Sequence, residues 1–385
     1  MATPSKNYAE ESLAFHLKHH GKLETVSKSP ITTREDLSLA YTPGVAAPCL
    51  AIEKNSEDAY LYTLKASTVA VISDGSAVLG LGNIGPLAGL PVMEGKCVLF
   101  KEFAGVNAFP IILATQDTEE IIRTIKNIAP TFGGINLEDF SAPRCFEIEE
   151  RLKAELDIPV MHDDQHGTAI VALAGLINSL RITGKKREEV RVVINGPGAA
   201  GTAIMKLFRL WGIQDIVMCD SKGILSASRT DLNKEKASLV QITNPRNISG
   251  MLQDAIRGAD VFVGVSAPNV LTSDDIRTMN TDSIIFAMAN PTPEIMPDEA
   301  RAGGARIIAT GRSDFPNQLN NVLVFPGIFK GVLKYRMRMI TDEMKLAAAE
   351  ALAAYVTNPT EEMIIPNPLD KNVVDVVAES VGRFR

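Results

Sequence analysis

Val190-Arg191-Val192-Val193-Ile194-Asn195-Gly196-Pro197-Gly198-Ala199-Ala200-Gly201 is an apolar, β-branched run that passes directly into a G-x-G-x-x-G turn. Valine and isoleucine favour a pleated, half-buried surface, so residues 190–194 are read as a strand. Residues 202–211 follow with helical spacing, Gly212 stops them, and residues 216–219 form a second strand ending in Asp220. Strand, glycine turn, helix, strand and terminal acid together make the dinucleotide fingerprint in the context it requires. Gly196, Gly198 and Gly201 let the backbone approach a pyrophosphate. Ala199 and Ala200 open the helix whose N-terminus faces its charge. Asp220 is placed to accept hydrogen bonds from the adenosine ribose and to repel a 2′-phosphate, which favours NAD. Lys222 is near enough to offset that repulsion toward NADP.

Working outward, residues 261–265, 284–288 and 306–309 read as further strands of the same sheet, with helical segments between them. The chemistry of such open α/β sheets sits beyond the carboxyl ends of the strands. Asn290 stands at one such end, in Ala289-Asn290-Pro291-Thr292, and Asn320-Asn321 close a polar loop before the apolar residues 322–325. Loop amides ordinarily satisfy backbone groups, and taken alone these need no other role.

Upstream, residues 68–73, 109–114 and 134–137 read as strands, and 119–128 as a helix. Two strands end in adjacent acids: Glu138-Asp139 after Asn136-Leu137, and Asp163-Asp164 after Pro159-Val160-Met161-His162. A single Asp before a helix is an ordinary N-cap. Two acidic pairs at two strand ends of one sheet can instead converge on a cation. Glu138, Asp139 and one of Asp163 and Asp164 would supply three carboxylate oxygens, a donor set suited to Mg²⁺ or Mn²⁺. Zinc on His162, Asp164 and His166 ranks lower, because no further His or Cys joins them. His16, His19 and His20 read as solvated helix.

Gly80-Leu81-Gly82-Asn83-Ile84-Gly85 repeats the glycine spacing but is read as a decoy. Pro86 and Pro91 follow, so no long helix is expected to receive a pyrophosphate. After Gly95-Lys96, residues 97–101 are expected to be a strand, with Lys96 among small and apolar neighbours. Tyr41 lies where a segment enters the Pro43-Gly44 turn.

The chain has 385 residues, too many for one ordinary domain. A net charge of −7 argues against a nucleic-acid partner. The four cysteines are widely spaced, without Cys-x-x-Cys, and are expected as free thiols in a reducing compartment. The first twenty or so residues hold no apolar signal core, and no apolar run spans a membrane, so a cytoplasmic location is the default.

A nicotinamide-type site, a hard-metal site, a base and an acid form a set. Hydride transfer from an alcohol needs a base and a cofactor. A metal becomes useful when a β-carboxylate must also leave, because it polarises the new carbonyl, and an acid must then protonate the enol carbon. The chain resembles malic enzyme in its short bacterial and archaeal form. The matching segments are Tyr41-Thr42-Pro43-Gly44-Val45, Asp74-Gly75, Gly80-Leu81-Gly82, Gly95-Lys96, Asn136 to Phe140, His162 to Thr168, Gly196 to Gly201, Asn290-Pro291-Thr292 and Asn320-Asn321.

The resemblance implies oxidative decarboxylation of (S)-malate to pyruvate and CO₂ with reduction of NAD, or alternatively NADP. It implies Lys96 as general base, Tyr41 as general acid, Asp163 as the carboxylate beside the lysine, and Glu138, Asp139 and Asp164 as metal ligands. Asn290 and Asn321, with Asn320 beside it, are implied at the substrate carboxylate and nicotinamide. The fold implied is α/β, with a Rossmann-type doubly wound domain, 163–320, inserted in a malate- and metal-binding domain made of 1–162 and 321–385. A homodimer or higher homo-oligomer is expected. Ser76-Ala77 stand where larger eukaryotic relatives carry a substrate-gripping arginine, so that grip must come from elsewhere. The acyl-phosphate-transferase-like domain of some bacterial relatives is not expected here. The competing functions are a metal-dependent hydrolase and a nucleotide-sensing regulator. Malate-dependent formation of reduced nicotinamide separates malic enzyme activity from both.

Overall fold

A computed structural model describes residues 8–385. The first sheet holds β1 (Thr68–Ser73), β2 (Asn107–Ile112), β3 (Gly134–Leu137) and β4 (Val160–His162), in the order β2-β1-β3-β4. The second holds β5 (Arg191–Asn195), β6 (Asp215–Asp220), β7 (Gly223–Ile224), β8 (Val261–Gly264), β9 (Ile284–Ala287) and β10 (Ile307–Thr310), in the order β10-β9-β8-β5-β6-β7. Every pairing is parallel except the short antiparallel β6–β7. All six residues of β1 are buried, as are all four of β3, β8, β9 and β10. Parallel sheets covered on both faces need such continuous apolar runs.

Register sets the height of each functional residue. Leu137 pairs with His162, so Glu138 and Asp163 leave their strands at the same level. In the second sheet Asn195 pairs with Cys219, which puts Gly196 level with Asp220. The two sheets share one hydrophobic core built around the Asp163–Thr183 helix. That helix buries residues around its whole circumference, from Ala169 to Leu180, the pattern of a central core helix. Asn178 fastens the C-terminal region to it by donating to the carbonyls of Ala353 and Ile364, both at 2.9 Å. The acidic corner is therefore the first turn of the most deeply packed helix in the molecule.

Two expectations fail. Residues 97–101 are not a strand, and the glycine loop at 80–85 is followed by a long helix, Pro86–Leu99, which carries Lys96 on a buried face. Pro86 sits in the first turn, where its missing N–H costs nothing. Pro91 lies five residues further on, and the carbonyl it leaves unpaired belongs to Leu87, which is 83% exposed and can be hydrated. Two prolines this close to a helix start do not forbid the helix.

Candidate active site

Lys96 is the centre of the site. Its Nζ lies 2.7 Å from Asp163 Oδ2 and 2.9 Å from Glu138 Oε1, with all three side chains buried. Burial works against the ammonium, but Asp163, Glu138 and Asp164 overcome it and hold the group above the ordinary lysine value. Two carboxylate oxygens at 2.7 and 2.9 Å from Nζ favour the charged form of Lys96. The carboxylates show the converse: burial pushes Glu138 up to about 7 and Asp163 up to about 6, against the pull of Lys96. Burial also raises Asp164.

Glu138, Asp139 and Asp164 each present an oxygen within 4.8 Å of the others. This is a compact all-carboxylate donor set with more negative charge than Lys96 alone neutralises, and it fits a hard divalent cation. Asn136 Nδ2 donates to Glu138 Oε2 at 2.8 Å and orients it. Asp164 Oδ2 accepts the backbone N–H of Asp139 at 2.7 Å, which locks the two acidic corners together. Asp139 has φ 57°, a left-handed conformation that turns the chain sharply after β3. The zinc alternative does not assemble. His162 is fully buried, with neither ring nitrogen hydrogen-bonded among the described residues, and His166 turns away to Glu149.

Asn321 donates its Nδ2 hydrogen bond to Asp163 Oδ2, on the oxygen that also holds Lys96. Asn320 acts locally, its Oδ1 accepting the Val322 N–H at 2.9 Å to cap the Asn321–Leu323 turn. Gly167 lies against the same carboxylate. A Cβ there would fall 2.0 Å from Asp163 Oδ1, so the helix start accepts no side chain at that point. Asn290, exposed at the end of β9, meets the glycine loop of the first sheet: a Cβ on Gly80 would fall 2.1 Å from the Asn290 carbonyl oxygen. The 80–85 loop therefore closes against the dinucleotide-binding half.

The Gly196–Gly201 turn has the tightness its glycines suggested. Gly196 has φ 117°, and a Cβ on Gly201 would lie 1.9 Å from the Gly196 carbonyl oxygen. The turn sits beside the end of β8, where Val265 crowds Gly196, at the point where the strand order reverses around β5. Asp220 is more heavily engaged than its position in the sequence suggested. Oδ1 accepts the N–H of Lys222 at 2.9 Å and Arg229 Nη1 at 2.7 Å. Oδ2 accepts Lys236 Nζ at 2.6 Å and Arg229 Nη2 at 3.2 Å. Four donors match the roughly four lone-pair positions of a carboxylate.

Tyr41 ends the Arg34–Ala40 helix. It is 66% exposed and makes no side-chain hydrogen bond among the described residues. The helices from Tyr8 to Tyr62 have no buried residue at all.

Sequence reasoning did not find Arg144, Glu149, Arg229 or Lys236. Arg144 Nη2 reaches Asp74 Oδ2 at 2.8 Å, Ser76 Oγ at 3.0 Å and Ser141 Oγ at 3.2 Å, and so ties the Asp-Gly loop to the loop after β3. Glu149 accepts the His162 N–H at 3.0 Å, which holds the end of β4. Burial alone would raise Glu149, but His166 and Lys153 hold it well below the ordinary carboxylate value. Its four-residue spacing from Lys153 was the one available signal. Arg229 and Lys236 lie 9 and 16 residues beyond Asp220, with nothing in that spacing to mark them.

Comparison with known proteins agrees with this geometry. The family model of the malic enzyme N-terminal domain matches residues 20–153, and that of the malic enzyme NAD binding domain matches residues 165–382. An NAD-dependent malic enzyme of Geobacillus stearothermophilus is 56% identical, over 97% of this chain and 78% of its own length. A bifunctional malic/malolactic enzyme of Bacillus subtilis is 55% identical, over 97% of this chain and 92% of its own. A crystal structure of the NAD-dependent malic enzyme of Thermotoga maritima superposes with a TM-score of 0.94 at 50% identity, covering 96% of this chain and 98% of that one.

Proposed function

The chain belongs to the malic enzyme family, and on that premise we propose that it oxidatively decarboxylates (S)-malate to pyruvate and CO₂, reducing NAD⁺ in preference to NADP⁺. The observation that carries this is the meeting, at one strand-end level, of a three-carboxylate metal site with a buried Lys96–Asp163 pair. The dinucleotide turn and Asn290 belong to the adjoining sheet. The domain division that follows is 1–162 with 321–385 around an inserted 163–320.

A divalent Mg²⁺ or Mn²⁺ held by Glu138, Asp139 and Asp164 would polarise the malate C2 oxygen and, by engaging Glu138, weaken the field that keeps Lys96 protonated. Lys96, once neutral, would take the malate C2 hydroxyl proton, and a bound nicotinamide would supply the hydride acceptor. Asp163, hydrogen-bonded to both Lys96 and Asn321, holds the lysine in place. Asn290 and Asn321 orient the substrate carboxylate and the nicotinamide amide. After CO₂ leaves, Tyr41 supplies the proton to C3.

Tyr41 is carried by the exposed N-terminal helices, so assembly decides where its hydroxyl sits. Leu13, Phe15, Leu17, Leu37 and Leu39 are exposed on the same segment. An apolar surface of this kind is covered in a stable protein, which supports a homodimer or higher homo-oligomer. A cytoplasmic location suits the four free cysteines, three of them buried. No helix among the described residues is long and apolar enough to cross a membrane.

The experiment is an initial-rate assay with malate and Mn²⁺, comparing NAD⁺ with NADP⁺ and following both reduced nicotinamide and pyruvate. Stoichiometric pyruvate and NADH, lost on EDTA treatment and restored by Mn²⁺, are expected. NADH with oxaloacetate accumulating in place of pyruvate would remove the decarboxylation step.

A further inference from the structure

Behind the acidic corner, a cavity of about 320 Å³ opens between the helices Arg144–Glu155, Asp163–Thr183, Ala199–Trp211 and Asp342–Tyr355. Neither the three metal-site carboxylates nor the Gly196–Gly201 turn lines it. Its volume is at the small end of the range for ligand pockets.

The wall has two characters. Ala203, Leu207 and Leu210 recur at successive turns of the dinucleotide-binding helix and make one side apolar. The other side is charged. Three lysines, Lys153, Lys206 and Lys345, share this wall with Glu149, Glu150 and Asp342, and Lys153 is paired with Glu149 in the interior. That carboxylate is already fully used. Its oxygens take Lys153 at 2.6 Å, His166 at 2.9 Å, the His162 N–H at 3.0 Å and Gln165 at 3.4 Å.

Lys345 is the group without an adequate counter-ion. Its side chain is 6% exposed, yet its one partner among the described residues is Asp342, 2.8 Å away, whose own side chain is 70% exposed. An ammonium has three donors, and a single solvated carboxylate occupies one of them. A buried cation so thinly paired is costly unless something else meets it. Burial and the neighbouring Lys153 both lower its proton affinity. At the mouth stands Lys206, exposed and with no ion pair among the described residues.

We propose that this cavity is a regulatory site for a small amphipathic organic anion, its carboxylate held by Lys345 and Lys206 and its apolar body laid on Leu207 and Leu210. Its reach into catalysis is through two contacts. Glu149 joins the cavity wall to the His162 N–H, immediately before Asp163 and Asp164. Thr202, also in the wall, follows Gly201 of the dinucleotide turn. An anion that neutralises Lys345 changes the field at Lys153 and Glu149, and through the Glu149 contact to the His162 N–H it changes the support of the metal corner without entering the active site.

The test uses the whole enzyme with Mn²⁺, NAD⁺ and pyruvate all saturating, so that the active-site anion and dinucleotide positions are filled. The probe is 2-naphthoate, one carboxylate on an apolar bicycle, and binding is measured by calorimetry. Binding is read without reference to turnover, so failure of this site and failure of the catalytic assignment are distinguishable. One equivalent per chain is expected. Lys345→Met should weaken binding about tenfold or more, the loss of one charge-assisted contact. Lys206→Glu, a surface change that leaves the fold intact, should weaken it by reversing the charge at the mouth. The probe should also change the initial rate of malate oxidation in the wild type and leave Lys345→Met indifferent. Absence of binding, or equal affinity in both variants, overturns the site. Binding with no change in rate overturns its regulatory role.

Discussion

Lys96→Met removes the cation that two buried carboxylates share, and its effect can be worked from the structure. Glu138 and Asp163 lie 2.9 and 2.7 Å from Nζ, with side chains 5% and 0% exposed. Removing one partner from a buried ion pair costs about 3–5 kcal/mol, because the other charge stays buried. Part of that is recovered by protonation. Glu138 is already raised to about 7 and Asp163 to about 6 with the lysine in place, and without it both rise further. The net loss is therefore placed at the low end, about 3 kcal/mol. For a domain of this size each kcal/mol moves Tm by roughly 2–4 °C, so a fall of about 6–12 °C is expected in EDTA at neutral pH. The sign with pH follows from the raised carboxylates. The folded variant binds more protons than the unfolded chain at any pH between about 4 and the elevated folded values. Its Tm should accordingly rise as pH is lowered from about 8 to about 5. Mn²⁺ bound at Glu138, Asp139 and Asp164 would restore the missing positive charge, with no lysine competing for the Glu138 oxygen. The Mn²⁺-induced rise in Tm should therefore be larger in the variant than in the wild type. Differential scanning fluorimetry with and without Mn²⁺ measures all three quantities, and malate-dependent NADH formation should be absent throughout. A variant that melts with the wild type in EDTA, or gains no more from Mn²⁺, would refute the shared-charge account.

Gly201→Ala should abolish NAD⁺ binding by calorimetry while the first sheet stays folded, since the new Cβ falls 1.9 Å from the Gly196 carbonyl oxygen and must distort the turn. Asp220→Ala releases the side chains of Arg229 and Lys236 from their shared carboxylate. It should raise KM for NAD⁺ and lower it for NADP⁺, and an unchanged ratio of the two would make Asp220 purely structural. Tyr41→Phe should stop steady-state malate turnover at the late protonation, leaving a pre-steady-state burst of NADH visible by stopped flow. Full steady-state turnover would remove Tyr41 from the chemistry.

Much of this molecule is legible in its sequence because the information is local. A strand, a glycine turn, a helix and a closing acid occupy consecutive residues from 190 to 220, and tight turns admit few residue types. The paired acids at 138–139 and 163–164 are likewise visible as strand endings. The helix through Lys96 is hidden by its two prolines, which break a helix or leave it intact according to position. One falls in the helix's first turn, and the other frees the carbonyl of Leu87, an exposed residue.

Local in the chain are the residue inventory and its punctuation: which strands end in acid, which turn carries the dinucleotide fingerprint, and which family the motifs match. How charges distant in the chain share one space follows from the fold alone. The pairing of Leu137 with His162 brings Glu138 level with Asp163, and Lys96 reaches both across separations of 42 and 67 positions, as their numbers show. The saturation of Asp220 by Arg229 and Lys236, and the thinly paired Lys345 in the cavity behind the corner, arise in the same way. Electrostatic interaction and desolvation depend on distance through space and on access to water, and both come into being only when the sheets close on the Asp163–Thr183 helix.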